Sequence, residues 1–403
     1  MLDDRLQSRL QSPIVPRRKD SGFSLIELMV ALVLGVLLIG GVLSVFSGTK
    51  ATYQANESLA RVQENVRFAL SEMQFNARSA TSLGFCGTRP DPEQWIDAAP
   101  GWQEAVFGVR RPIVGWEFDD SGRTDELTVD ANYATAGAAS WSTQPRQVDG
   151  TTPDLNLPAL LSASATIRPV ADSDVFIVRN FVPIPGVTWD GTGNVTDMTL
   201  SLDNPHGLAD GQLAFVTDCI GADFFRNRGA GSVLSRATGG GCGDCPGNLN
   251  PGGAPWGTNL TAAVQVYGVE MWAYFVGFNS DRNQPGLYRM DLASCPCGNI
   301  VEEIVEGVEN MQVLYGYSQP APVGDGATIQ NDSWLTADQI EDWWPVIAAR
   351  VSVLQRSSEL DGAGNVQREF NLAGTFVTSP LDSRMRQDAS TTLALRNRII
   401  VDD

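Results

Sequence analysis

Six cysteines stand at 86, 219, 242, 245, 295 and 297, and their spacing admits three kinds of chemistry. An even set of thiols can close structural bridges, with no single connectivity dictated by spacing. The favoured pattern pairs Cys86 with Cys219 and crosslinks the Cys242/Cys245 pair to the Cys295/Cys297 pair. A four-thiolate zinc site would use the same four residues, but Cys295 and Cys297 are separated by one residue, a tight bite for two ligands of a tetrahedral ion. A redox-active Cys242-x-x-Cys245 is disfavoured, because Gly239, Gly240, Gly241 and Pro246 surround it without a strand-to-helix context.

Other residues with chemical potential are sparse. Glu302, Glu303, Glu306 and Glu309 form the densest acidic run and could supply a carboxylate pair, although the solvated face of a short helix accounts for them. From Asp190 to Asp197, oxygen-bearing side chains recur at positions suited to calcium, without the closing bidentate glutamate of an EF-hand. Turn formation explains the same residues. His206 is the single histidine, so Ser-His-Asp and Cys-His nucleophiles would have to use it, and multi-histidine metal sites are excluded. Within Asn204-Pro205-His206-Gly207 it reads as an exposed turn residue. The expectation is a protein with no catalytic residues, no metal and no cofactor.

Charge excludes a further class. The chain has 403 residues with 28 Lys plus Arg against 47 Asp plus Glu, a net charge of −19, and no nucleic-acid partner is expected. Forty glycines and 22 prolines without a short period fit a loop-rich β domain.

One segment dominates the elements. Phe23 to Phe46 is apolar apart from Glu27. As a helix rising ~1.5 Å per residue it covers roughly 36 Å, enough for the ~30 Å core of a bilayer. Arg5, Arg9, Arg17, Arg18 and Lys19 outnumber the acids of the leader Met1 to Gly22, which places the leader in the cytoplasm and the remainder on the far side of the membrane. An ionised Glu27 in hydrocarbon costs ~2.5 kcal/mol or more and requires a partner, unless it lies at the interface and snorkels into water as in a plain signal anchor.

The string Arg17-Arg18-Lys19-Asp20-Ser21-Gly22-Phe23-Ser24-Leu25-Ile26-Glu27 resembles the type III signal of type IV prepilins and pseudopilins. The resemblance implies that a prepilin peptidase cuts between Gly22 and Phe23, that Phe23 becomes N-methylated, and that Glu27 pairs with a terminal amine during filament assembly. Residues 1–22 are then a cleaved leader, 23–46 the membrane helix, 47–83 an amphipathic stalk and 84–403 a periplasmic β-rich domain.

The stalk has no proline, and Leu59, Val62, Val66, Leu70, Met73, Ala77 and Ala80 recur at steps of three and four, a stripe suited to packing on the protein's own sheet, with a partner helix as the alternative. Two-residue alternation then marks strands over 105–118, 126–129, 174–182, 212–220, 264–278, 286–292, 311–317, 350–356, 366–372 and 391–400. A short helix is expected from Thr336 to Trp344. The fold class is α+β, a long N-terminal helix packed on a large, mainly antiparallel sheet system.

The segments Val305 to Gly316, Ala349 to Leu354 and Ala394 to Arg398, with Pro285 to Tyr288, resemble PilW-type minor pilins of type IV pili. That resemblance implies a non-catalytic protein that helps initiate pilus assembly and sits in a tip complex with other minor pilins, the major pilin and a PilY-type adhesin. The alternatives are a J-type pseudopilin of type II secretion and, ranked lower, a membrane-anchored periplasmic enzyme or metal-binding module.

Overall fold

A computed structural model describes residues 22–80, 92–97, 102–108, 111–143, 155–162, 167–191, 198–243, 245–257, 264–298, 300–317, 334–343, 345–358 and 365–395. The chain divides into two compact units, Met1–Gln54 and Ala55–Asp403. Helix α1 spans Leu25–Ser79 and contributes to both.

In the first unit, the unbroken apolar run makes α1 helical and its side chains are turned outward. Leu25, Leu28, Val33, Leu37, Val42 and Phe46 are all exposed. By length and composition this helix can cross a membrane, the solvent in which such a surface is stable.

In the second unit the helical period takes over. Val62, Val66, Ala69, Met73 and Ala77 are buried along one stripe, as their spacing predicts. Glu57 and Arg61 pair on the exposed face at 2.7 Å. The buried stripe lies on the large sheet, where Asn76 Nδ2 donates to the Tyr274 hydroxyl at 2.7 Å and Glu72 meets Arg289 at 2.6 Å.

That sheet is built from β1 (Ile113–Phe118), β2 (Val175–Pro183), β3 (Leu213–Thr217), β4 (Ala222–Arg226), β5 (Gln265–Asn279), β6 (Gln284–Asp291) and β7 (Val301–Glu306), with short pieces at its margins. β5 is the central strand. One of its edges pairs with β2 from Tyr267 to Tyr274. The other is divided between β3, at Gln265 to Gly268, and β6, at Trp272 to Asn279.

A second sheet holds β8 (Val308–Tyr317), β9 (Val346–Arg356) and β10 (Arg386–Ala394), with Trp334–Leu335 at one edge. The chain passes between the sheets at Gly307, whose φ of 85° is in the left-handed region. A Cβ there would lie 2.6 Å from the Arg356 carbonyl oxygen. A smaller sheet joins Glu369–Leu372, Thr375–Thr378 and Glu126–Thr128, and a two-stranded one joins Thr199–Ser201 to Val233–Ser235. The main core fills the space among α1 and the sheets, and a lesser core around Phe225, Leu234 and Trp256 fills the excursion between β2 and β5.

Three expectations are corrected. Residues 105–118 are not one strand: helix α2 (Trp102–Phe107) ends before Gly108, and β1 starts after Pro112, which cannot donate to a ladder. The helix expected from Thr336 shrinks to a 3-10 turn, Ala337–Gln339, capped reciprocally by Thr336 and Gln339. The acidic run is strand, not helix: Glu302, Glu303 and Glu306 lie on β7 and Glu309 on β8.

Candidate functional site

At the start of α1, Ser24 and Glu27 satisfy each other. The Ser24 N–H donates to Glu27 Oε2 at 3.3 Å, and the Glu27 N–H donates to Ser24 Oγ at 3.2 Å, a capping box that occupies two otherwise unpaired donors. Phe23 is 85% exposed, and a Cβ on Gly22 would meet nothing within 4 Å. The fold therefore makes no steric demand for glycine at position 22. The box is legible in the sequence as S-x-x-E, Ser24 to Glu27.

The second sheet holds a buried ionic cluster. Glu309 on β8 is fully buried and takes two bonds from Arg386 on β10, at 2.6 Å to Oε2 and 3.0 Å to Oε1. Arg356 on β9 approaches Oε1 at 3.6 Å, and the Tyr133 hydroxyl donates to the same oxygen at 2.7 Å. Arg356 and Arg386 are direct cross-strand partners, so Glu309, with Asp382 on Arg386 at 2.6 Å, offsets the repulsion of two like charges. Burial and the Glu309 charge push the Tyr133 phenol above its ordinary value. Burial works against the Arg386 charge, yet bonds to Asp382 and Glu309 hold its pKa above the usual arginine range. With every carboxylate oxygen engaged, the cluster is a clasp across three strands and offers no free acid or base.

A second carboxylate pair lies where the two sheets meet. Asp174 accepts the Phe118 N–H at 3.1 Å and the Val313 N–H at 2.8 Å, joining β1 to β8. Burial pushes Asp174 up to about 7, against the pull of those two bonds. Glu117 is raised well above the ordinary carboxylate value, first by burial and then by the charge of Asp174.

The cysteines follow the favoured pattern where the structure describes them. Cys242 bonds Cys295 and Cys245 bonds Cys297, each with Cα atoms 5.8 Å apart. Cys219 is also disulfide-bonded, and Cys86, its expected partner, lies outside the described residues. The bridges occupy the thiolates that a zinc ion or a Cys242/Cys245 redox pair would use. Of the loop considered for calcium, residues 192–197 lie outside the described residues. His206 corrects its expectation: it is 3% exposed, with Nδ1 accepting the Leu208 N–H at 3.0 Å and Nε2 facing the Val233 carbonyl at 3.2 Å. One ring nitrogen is spent on the local turn and the other on a main-chain carbonyl 27 residues away.

Two regions of the chain match known families. Residues 273–397 match the model described as Type IV Pilus-assembly protein W, and residues 17–43 match the prokaryotic N-terminal methylation motif. No curated protein and no solved structure matches the chain. The first match covers β6 to β10 with the last seven residues of β5, and the second covers the start of α1.

Proposed function

The chain belongs to the type IV pilus-assembly protein W family and carries the N-terminal methylation motif, and from that premise we propose that it is a minor pilin which initiates pilus assembly and stays in a complex at the pilus tip. The observation that carries the reading is the pairing of a processing motif at one end with the assembly-family sheet at the other. Gly22 is the residue after which the prepilin peptidase cuts, and Phe23 is the new, methylated terminus. No steric need within the fold accounts for glycine there, which supports recognition by the peptidase as its reason.

The apolar face of α1 holds the subunit in the inner membrane before assembly, with residues 84–403 in the periplasm. In the filament, Glu27 neutralises the Phe23 amine of a neighbour or its own, since an unpaired charge in hydrocarbon is costly. Family members are structural components, and the buried acids and bases serve the fold. The match over the last strands favours the pilus over the type II secretion alternative. Other minor pilins, the major pilin and a PilY-type adhesin are the proposed partners.

The test is a strain lacking this chain. Loss of surface pili, restored by the wild-type allele, with labelled protein at filament tips, is the expected result. Normal piliation of the deletion strain rejects the reading.

A further inference from the structure

β10 has a strand on one side only. Its register with β9 runs without a shift from Arg386 opposite Arg356 to Ala394 opposite Ala348, and its other edge pairs with no strand among the described residues. Bonds at its two ends fix which groups face that edge: the Ser357 N–H donates to Met385 O, and the Leu395 N–H donates to Ile347 O. Bonded and non-bonded positions alternate along an antiparallel pair. Odd-numbered residues of β10 therefore turn their peptide groups to β9, while Asp388, Ser390, Thr392 and Ala394 turn theirs outward. These outward groups meet no hydrogen-bond partner among the described residues.

Edge strands are normally guarded by brevity, lysine, proline or a bulge. β10 is nine residues long, contains neither lysine nor proline, and has no bulge. Of its outward residues Asp388, Ser390, Thr392 and Ala394, the last three are small and uncharged, and Asp388 alone carries a charge. A row of unpaired N–H and C=O groups on such an edge is complementary to one thing, an extended polypeptide.

The flanking charge narrows the partner. A crevice beside β10 is lined by Arg123, Arg350, Ser352, Asn371, Asp388 and Ser390. Arg350 stacks on Trp334 at 4.2 Å, and Arg123 donates to the Trp334 carbonyl at 3.4 Å. Neither guanidinium forms an ion pair among the described residues, in a chain with 47 acids to 28 bases. A strand added ~4.8 Å beyond β10 would send alternate side chains over Ser390 and Thr392 toward these two charges.

We propose that the free edge of β10 takes up an extended strand from a different pilus subunit, with an acidic side chain of that strand seated against Arg123 and Arg350. The proposal rests on the assembly reading above.

The test compares alleles in the deletion strain. Ser390→Pro removes an outward N–H and spares the ladder to β9, a substitution that edge strands accept. Arg350→Glu reverses the charge. A photo-crosslinking residue at Thr392 reports what lies alongside. Both substitutions are expected to leave processed protein and its protease resistance unchanged while lowering surface pili at least tenfold. The photo-adduct is expected on an extended, acid-bearing segment of a different pilus subunit. If the deletion strain is bald and both variants pilate like the wild type, the edge proposal falls and the assembly reading stands; if the deletion strain is fully piliated, the assembly reading itself falls. An adduct with a second copy, or with residues 396–403 of the same chain, overturns the proposal. Should Ser390→Pro fail to accumulate, Arg350→Glu and the adduct decide.

Discussion

Ser24 and Glu27 exchange two hydrogen bonds at the first turn of α1, so the one carboxylate of the apolar segment has a partner within its own helix. Two roles then fall on Glu27: capping the helix and supplying charge to a neighbouring subunit. They can be separated. Glu27→Gln keeps an acceptor for the Ser24 N–H and removes the charge, while Glu27→Ala removes both. Loss of a cap costs ~1 kcal/mol and leaving a buried charge unpaired costs roughly 3 to 5 kcal/mol. Both variants are therefore expected to be inserted and cut after Gly22, and both are expected to lose pili. Full piliation with Glu27→Gln, but not with Glu27→Ala, would assign the glutamate to capping alone. Intact mass and pilus counts make the distinction.

Gly307 carries the chain from the first sheet to the second with φ 85°, and a Cβ would press on the Arg356 carbonyl at 2.6 Å. Gly307→Ala combines backbone strain with overlap against main chain, each worth about 1 to 3 kcal/mol. Urea denaturation of the detergent-solubilised chain is expected to shift by about 2 kcal/mol or more. An unshifted midpoint would mean that the turn has another conformation.

The two bridges Cys242–Cys295 and Cys245–Cys297 span sequence separations of 53 and 52 and lie side by side. In the chain-entropy picture the first to close such a loop contributes about 4 kcal/mol, and the second then closes only a small ring worth about 2 kcal/mol. Removing either bridge alone is expected to be milder than half of removing both. Non-reducing peptide mapping should find these pairs, and stability of the single and double Cys→Ser variants tests the inequality.

An unfolded chain titrates Glu117 and Asp174 near pH 4. The fold holds Asp174 up to about 7 and Glu117 well above its ordinary value. The folded state thus binds these protons more tightly, and the stability they contribute is complete below about pH 4 and lost as pH rises through 7. Glu117→Gln is expected to stabilise the protein at pH 8, to change it little at pH 4, and to flatten the profile between. Thermal melts across this range measure it; an unchanged slope would remove Glu117 from the account.

What the sequence made legible depended on how local its cause was. The apolar run and the stripe from Val62 to Ala77 follow from period alone, and the structure has them, while β5 forms where a strand is expected but is buried on both faces over most of its length. Glu309 shares a run with Glu302, Glu303 and Glu306 that points to a solvated face, yet its partners Tyr133, Arg356 and Arg386 come from distant positions. His206 departs from its expected exposure for a similar reason, as its ring is held against the remote Val233 carbonyl. The expected helix at Thr336 had a true cap and a true stop, but Trp343 was claimed by the core against Tyr315, with ring centroids 4.7 Å apart. Pairing partners were invisible wherever they were remote.

The divided edge of β5 has an evolutionary consequence. The chain leaves β2 at Pro183 and enters β5 at Gln265, with the Ile184 N–H already bonded to Val266 O at 2.9 Å, and the stretch between them supplies β3 and β4 to the same sheet. Everything between departs and arrives at almost one point, the geometry of an exchangeable cassette. Relatives could lengthen, shorten or replace this stretch without changing strand order in the matched region, at the price of leaving residues 265–268 of β5 unpaired on one side. Cys242 and Cys245 tether the cassette to Cys295 and Cys297 beyond β6, so lineages that dispense with it are expected to lose all four cysteines together.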